Sequence, residues 1–192
     1  DPNSDIDVMV VLRPGCDYRE RGNTWIEGVE IEYFHNPPEQ IRTYFQLEAK
    51  RPVTAHMFAQ GLVKYEVDPV VCELVAEAKA IMNRQPDPMG EVAREFARYE
   101  LDDLWKDYED VIGREDFATA KLIGAFLIEH CVKCWFTKFQ HYTAKRKRLL
   151  QTLQPLDPQF AETIERALLE NGGKDMGAMQ QLVEATEVFL GG

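Results

Sequence analysis

The 192-residue chain has few basic side chains, few cysteines and no long apolar run. Its 22 lysines and arginines are outnumbered by 33 acids, which gives a formal net charge of −11. Because contact with a phosphate backbone requires clustered Lys and Arg, the acidic excess predicts that nucleic acid is not the main partner. An acidic protein is better suited to a cationic small molecule.

The four cysteines, Cys16, Cys72, Cys131 and Cys134, are too few and too scattered for a disulfide framework. No apolar stretch reaches the roughly 18 residues of a membrane span, and no signal peptide is recognisable. The sequence therefore predicts a cytoplasmic protein that does not contact a membrane.

The N-terminal part combines strands and helices. Residues 6–12 (IDVMVVL) form a short apolar run, interrupted by Asp7 and mostly β-branched, which predicts a central strand ended by Pro14 and Gly15. Residues 25–34 predict a second strand, because apolar residues alternate there with Glu30 and Glu32. The other predicted elements of this part are helices over residues 39–50, 56–60 (with Thr54 as N-cap) and 69–83, and a short strand over residues 62–67.

Residues 84–90 (RQPDPMG) form the best candidate boundary, since two prolines and a glycine interrupt regular structure there. Beyond them, apolar residues recur at helical spacing. Helices are predicted over residues 91–112, 117–142, 147–153, 157–169 and 176–190. The predicted fold class is α+β: a domain with a small mixed β-sheet over residues 1–86, followed by an all-α helical bundle over residues 87–192.

Two aspartates, Asp5 and Asp7, lie at the start of the first strand. Side chains two residues apart in a strand point to the same face, so these like charges lie close together and favour a cation between them. Carboxylate oxygens suit Mg²⁺ held jointly with substrate phosphates. A third carboxylate from the second strand would complete the site. Glu30 is preferred because it lies nearer the middle of that strand, and Glu32 has the same parity.

These residues carry a family resemblance. Ser4-Asp5-Ile6-Asp7 followed by five apolar residues, and then a strand with a carboxylate, resembles the polymerase-beta-like nucleotidyltransferase superfamily. The resemblance covers residues 4–83. The helical domain that follows makes the kanamycin-nucleotidyltransferase-like branch the nearest comparison.

The resemblance implies a function. Asp5, Asp7 and Glu30 (or Glu32) would bind Mg²⁺ and align an NTP, with ATP as the expected donor. The nucleoside monophosphate would pass to a hydroxyl of a small-molecule acceptor, such as an aminoglycoside-like antibiotic. The phosphates would contact a hydrophobic–Gly–Ser element, expected before residue 1, and Ser4. The alternatives are a protein-binding, antitoxin-like partner and a degenerate, non-catalytic member.

The helical domain offers further candidates. The resemblance implies that this domain supplies a general base, for which the candidates are Glu129, Glu100, Asp102, Asp103 and His130. Glu129 stands out because it lies in an otherwise apolar helix, and its alternative role is an ion pair with Lys133. Lys145, in the basic run of residues 145–148, is a candidate contact for the triphosphate or a solvated helix start. Cys131 and Cys134 are more typical of core packing than of zinc ligands. A homodimer is compatible with these patterns.

Overall fold

The structure is a computed structural model that describes residues 5–191. These residues form three strands, eight α-helices and one 3₁₀ turn, which confirms the α+β fold class. They divide into two compact units, one ending at Arg84 and the other beginning at Gln85. None of the described helices is long and apolar enough to cross a membrane.

The sheet lies in the first unit and has the order β1-β3-β2. Its strands are β1 (Ile6–Val11), β2 (Glu20–Ile26) and β3 (Val29–Asn36). The prediction of one strand over residues 25–34 is wrong, because the chain reverses at Glu27 and Gly28. Their φ angles of 49° and 80° are both positive, as a two-residue type I′ hairpin turn requires.

β1 was predicted to be a central strand, and in the described sheet it is an edge strand that pairs only with β3. Met9 and Val11 pack against the helices of this unit, whereas Ile6 on the opposite face is 50% exposed. The nearly continuous apolar run predicted burial on both faces. Within residues 5–191, helices pack against Met9 and Val11 on one face, and Ile6, Val8 and Val10 on the other face are exposed.

The first unit also contains three helices, α1 (Pro38–Leu47), α2 (Val53–Gln60) and α3 (Val70–Met82), which pack against Met9 and Val11. Their buried contacts involve Ile41, Phe45, Phe58 and Leu74. Burial of such side chains, at about 25 cal/mol per Å² of apolar surface, is the main force that holds this unit together.

Two local predictions in the first unit are wrong. Thr54 lies inside α2 rather than at its N-cap, and its backbone N–H and hydroxyl donate to the Glu48 carboxylate at 2.6 and 2.9 Å. Residues 62–67 form no strand. Leu62, Tyr65 and Val67 are each 81% exposed, since no neighbouring strand in the described sheet pairs with this segment.

The second unit is a helical bundle around a core that includes Tyr108, Leu127, Phe136 and Leu182. Its helices are α4 (Glu91–Gly113), α5 (Phe117–Lys138), α6 (Leu149–Leu156), α7 (Pro158–Glu170) and α8 (Gly177–Leu190). α5 is the central helix and contacts α4, α7 and α8.

Capping residues set several helix boundaries in the bundle. Asp116 and Asp157 each accept a hydrogen bond from a backbone N–H in the first turn, at the starts of α5 and α7. α5 ends at Lys138, earlier than predicted, and Gln140 then takes a left-handed φ of 54°. The predicted helix over residues 147–153 instead begins as a 3₁₀ turn, Arg146–Arg148, and α6 continues through Pro155.

Candidate metal-binding site

Three carboxylates meet at the start of the sheet. Asp5, Asp7 and Glu32 each offer an oxygen, and these oxygens all lie within 4.8 Å of one another. The parallel register places Asp7 directly beside Glu32, and Asp5 precedes β1 with the same parity as Asp7. Sheet pairing therefore joins residues that are far apart in sequence into one acidic cluster.

Glu30 does not belong to this cluster, although it was the preferred third carboxylate. It lies opposite Trp25 of β2, and its Oε1 accepts a hydrogen bond of 2.7 Å from the Asn23 amide. The preference therefore moves to Glu32, since β1 begins only at Ile6 and its second residue, Asp7, registers with Glu32.

Arg21 is a neighbour of the cluster that sequence reasoning missed. Its guanidinium donates to Oε1 of Glu32 from two nitrogens, at 2.7 Å (Nε) and 2.5 Å (Nη2), and stacks over the Phe34 ring with 4.9 Å to the centroid. Both contacts use the same carboxylate oxygen. Recognition of the Glu27-Gly28 turn would have placed Arg21 on β2, facing the same side of the sheet as Glu32.

The cluster fits a hard divalent cation. Asp5 and Asp7 are exposed and Glu32 is half-buried, so the group is open to solvent on one side. Close carboxylates repel each other, and Arg21 offsets the charge of only one of them directly. Mg²⁺ commonly binds to a few carboxylates while substrate phosphates and water complete its shell.

The candidate base Glu129 is occupied by two cations. Its Oε1 lies 3.1 Å from Arg146 and 3.4 Å from Lys133. The hydrogen bond from Arg146, and next the charge of Lys133, lower the pKa of this carboxyl below its ordinary value. A lowered pKa weakens a general base at neutral pH. The contacts of Glu129 therefore favour the ion-pair role.

The remaining candidate residues are Lys145, Ser4 and the two cysteines of the bundle. Lys145 is exposed in the second unit, and Ser4 lies outside the described residues. Cys131 and Cys134 are buried in the bundle core, and burial raises the pKa of their thiols to about 12 and about 11. Protonated, enclosed thiols are poor metal ligands and poor nucleophiles.

Comparisons with known proteins give a weak similarity. No protein-family profile and no curated protein matches the sequence. Among solved structures, a nucleotidyltransferase-like protein from Exiguobacterium sibiricum aligns with 96% of this chain, at 11% sequence identity and a TM-score of 0.49. The chain spans 63% of that protein's length. Similarity at this level assigns neither a family nor an activity.

Proposed function

We propose that the chain acts as a Mg²⁺-dependent nucleotidyltransferase, which transfers a nucleoside monophosphate from an NTP to a hydroxyl of a small-molecule acceptor. ATP is the expected donor. The observation that carries the proposal is the cluster of Asp5, Asp7 and Glu32 on paired strands. Like charges with oxygens within 4.8 Å of one another repel, and a shared cation would relieve that repulsion.

The residues of the site have separate roles in this proposal. Asp5, Asp7 and the Oε2 oxygen of Glu32, which the Arg21 contacts leave available, would hold the ion. When bound, Mg²⁺ neutralises phosphate charge and polarises the phosphoryl group that is attacked. Arg21 fixes the orientation of Glu32, and its exposed guanidinium suits a phosphate oxygen. Trp25, 68% exposed, projects from the same sheet face and offers an aromatic surface to a base.

The acceptor class follows from the charge of the chain and from the family resemblance. A net charge of −11 favours a cationic acceptor. An aminoglycoside-like polyamine with free hydroxyls has that chemistry, and it is the acceptor that the kanamycin-nucleotidyltransferase-like resemblance implies.

Metal-dependent nucleotide binding tests the site without requiring an acceptor. Thermal shift of the chain would be measured with ATP, GTP, CTP and UTP, each with Mg²⁺ or with EDTA. A ligand at 100 times its Kd stabilises by about 2.7 kcal/mol, so we expect a higher Tm with Mg²⁺ and nucleotide together. The Asp7→Asn and Glu32→Gln variants should lose this shift.

Glu30→Gln is the matched control, because it removes one acid from the same face of the same strand but outside the cluster. It should keep the Mg²⁺-dependent shift. Loss of the shift in Glu30→Gln together with its retention in Glu32→Gln would contradict the assignment of the third ligand. No shift with any nucleotide in the unmodified chain would favour a non-catalytic role.

A further inference from the structure

The charge of the chain is unevenly distributed. Residues 130–156 contain no Asp or Glu, so all 33 acids lie elsewhere. The same stretch contains six of the 22 basic residues, all of them between residues 133 and 148, which we call the basic segment: Lys133, Lys138, Lys145, Arg146, Lys147 and Arg148. The net charge of the whole chain therefore conceals a local excess of positive charge.

The basic segment presents its cations from a fixed backbone. Residues 145–148 are exposed, and three of them form the 3₁₀ turn between α5 and α6. On either side, Ala144, Leu149 and Leu150 pack against the bundle core. The cations of residues 145–148 therefore extend from a short turn whose neighbouring residues are anchored in the core, and not from a free tail.

Most of these charges have no acidic partner among residues 5–191. Glu129 pairs with Lys133 and Arg146. Among the described residues, no acid lies within ion-pair distance of the other four basic residues of the segment, Lys138, Lys145, Lys147 and Arg148. Four exposed cations that have no acidic partner in the described part of the chain can bind an external polyanion.

Aromatic side chains lie between these cations in sequence. Phe139 is 43% exposed, and the exposed His141 ring stacks on Trp135 with 5.6 Å between centroids and 9° between planes. Both follow Lys138 and precede Lys145. Surfaces that bind single-stranded nucleic acid combine cations for the phosphates with aromatic rings on which bases stack.

We infer that the basic segment binds single-stranded nucleic acid. Lys138, Lys145, Lys147 and Arg148 contact phosphates, while the rings of Phe139 and His141 receive bases. A lipid surface fits less well, because the leucines beside the cations pack against the core and do not project for insertion. The expectation that nucleic acid is not the main partner was based on the net charge of the whole chain. This inference is based instead on the local charge of the basic segment. It is independent of the proposed transferase activity.

Fluorescence anisotropy with a labelled oligouridylate of about 16 nucleotides tests the inference on the full chain. Four phosphate contacts predict that log Kd rises with log salt concentration with a slope of about 3. The triple variant Lys145→Gln, Lys147→Gln, Arg148→Gln should weaken binding about tenfold or more at low salt.

The matched control is Arg94→Gln, Arg98→Gln, Lys106→Gln, which removes the same charge from exposed positions of α4. It should bind within about twofold of the unmodified chain, since these cations lie outside the basic segment. Equal loss in both triple variants would overturn the inference, as would no binding.

A competition experiment and a vesicle-binding experiment distinguish nucleic acid from other polyanions. Inorganic polyphosphate should compete less well than oligouridylate at equal phosphate concentration, because it has no bases to stack. Equal competition would overturn the inference in favour of a general polyanion surface. Binding to phosphatidylserine vesicles without binding to the oligonucleotide would overturn it in favour of a membrane surface.

Discussion

At the scale of single residues, Arg21 and Glu32 form a pair whose role depends on the neighbouring acids. An exposed salt bridge contributes only about 0–1 kcal/mol, so the Arg21–Glu32 pair adds little to the stability of the fold by itself. Arg21 contacts the Oε1 oxygen of Glu32, and Glu32 also belongs to the cluster with Asp5 and Asp7. In the proposed site, the pair would orient Glu32 as a ligand for the cation.

Glu129 allows a prediction of pH dependence. Its pKa is lowered, first by Arg146 and then by Lys133, so the charged form is favoured in the folded state. Such a group adds stability above its ordinary pKa of 4.5, and this stability is lost as the pH falls through the lowered value. Because the pair is partly exposed, Glu129→Gln should cost less than about 1 kcal/mol at neutral pH.

Urea unfolding of Glu129→Gln and the unmodified chain, at neutral pH and well below pH 4.5, measures this difference. The difference in unfolding free energy between the two proteins should vanish at the acidic pH. Glu165→Gln, an exposed acid of α7, is the control and should have little effect at either pH. A difference for Glu129→Gln that stays constant with pH would show that the ion pair is not its source.

At the scale of elements, the β2–β3 hairpin decides which residues reach the carboxylate site. Its two-residue turn fixes the register that places Asn23 beside Glu32 and Arg21 beside Phe34. A longer turn would shift the register, and a slip of one residue would move Arg21 to the other face of the sheet. The conformation of the turn therefore determines which side chains of β2 lie beside the carboxylates.

Gly28→Ala should destabilise the hairpin by about 1–2 kcal/mol, since a Cβ is unfavourable in the left-handed region. Gly28 has φ of 80° and open space around it, so the cost is conformational rather than steric. Hydrogen exchange of the β2 and β3 amides measures this loss of hairpin stability. Gly113→Ala is the control, because this helical glycine also has open space and the substitution should not destabilise. Unchanged exchange of the hairpin amides in Gly28→Ala would contradict the role of the turn.

At the scale of the whole molecule, two cores form within one chain. In the first unit, α1, α2 and α3 pack against one another and against Met9 and Val11 of β1, and in the second, helices pack around α5. Each cluster of buried residues lies within its own unit. A unit with its own core can fold by itself, in contrast to a segment whose apolar face needs the rest of the chain.

We therefore expect a fragment of residues 85–192 to fold alone. It should keep helical far-ultraviolet and near-ultraviolet circular dichroism and unfold in one cooperative thermal transition. Leu182→Ala in this fragment should destabilise it by about 2–5 kcal/mol, because Leu182 is fully buried. A helical fragment without near-ultraviolet signal or cooperativity would show that its packing depends on the first unit.

The sequence alone determined most of the helices, because apolar residues at helical spacing and local caps act within a few residues. α4 begins at Glu91 and α8 ends at Leu190 as predicted. The pair of Asp5 and Asp7 was also found from sequence, since period-2 geometry is local.

Strand pairing was decided only by the tertiary structure. Parity permitted both Glu30 and Glu32, and the register of β1 against β3 selected Glu32. The same pairing made β1 an edge strand and added Arg21 to the site. Strand register depends on contacts between residues distant in sequence, and one shift of register changes every neighbour. The sequence thus identified the two aspartates, and the fold supplied the residues around them.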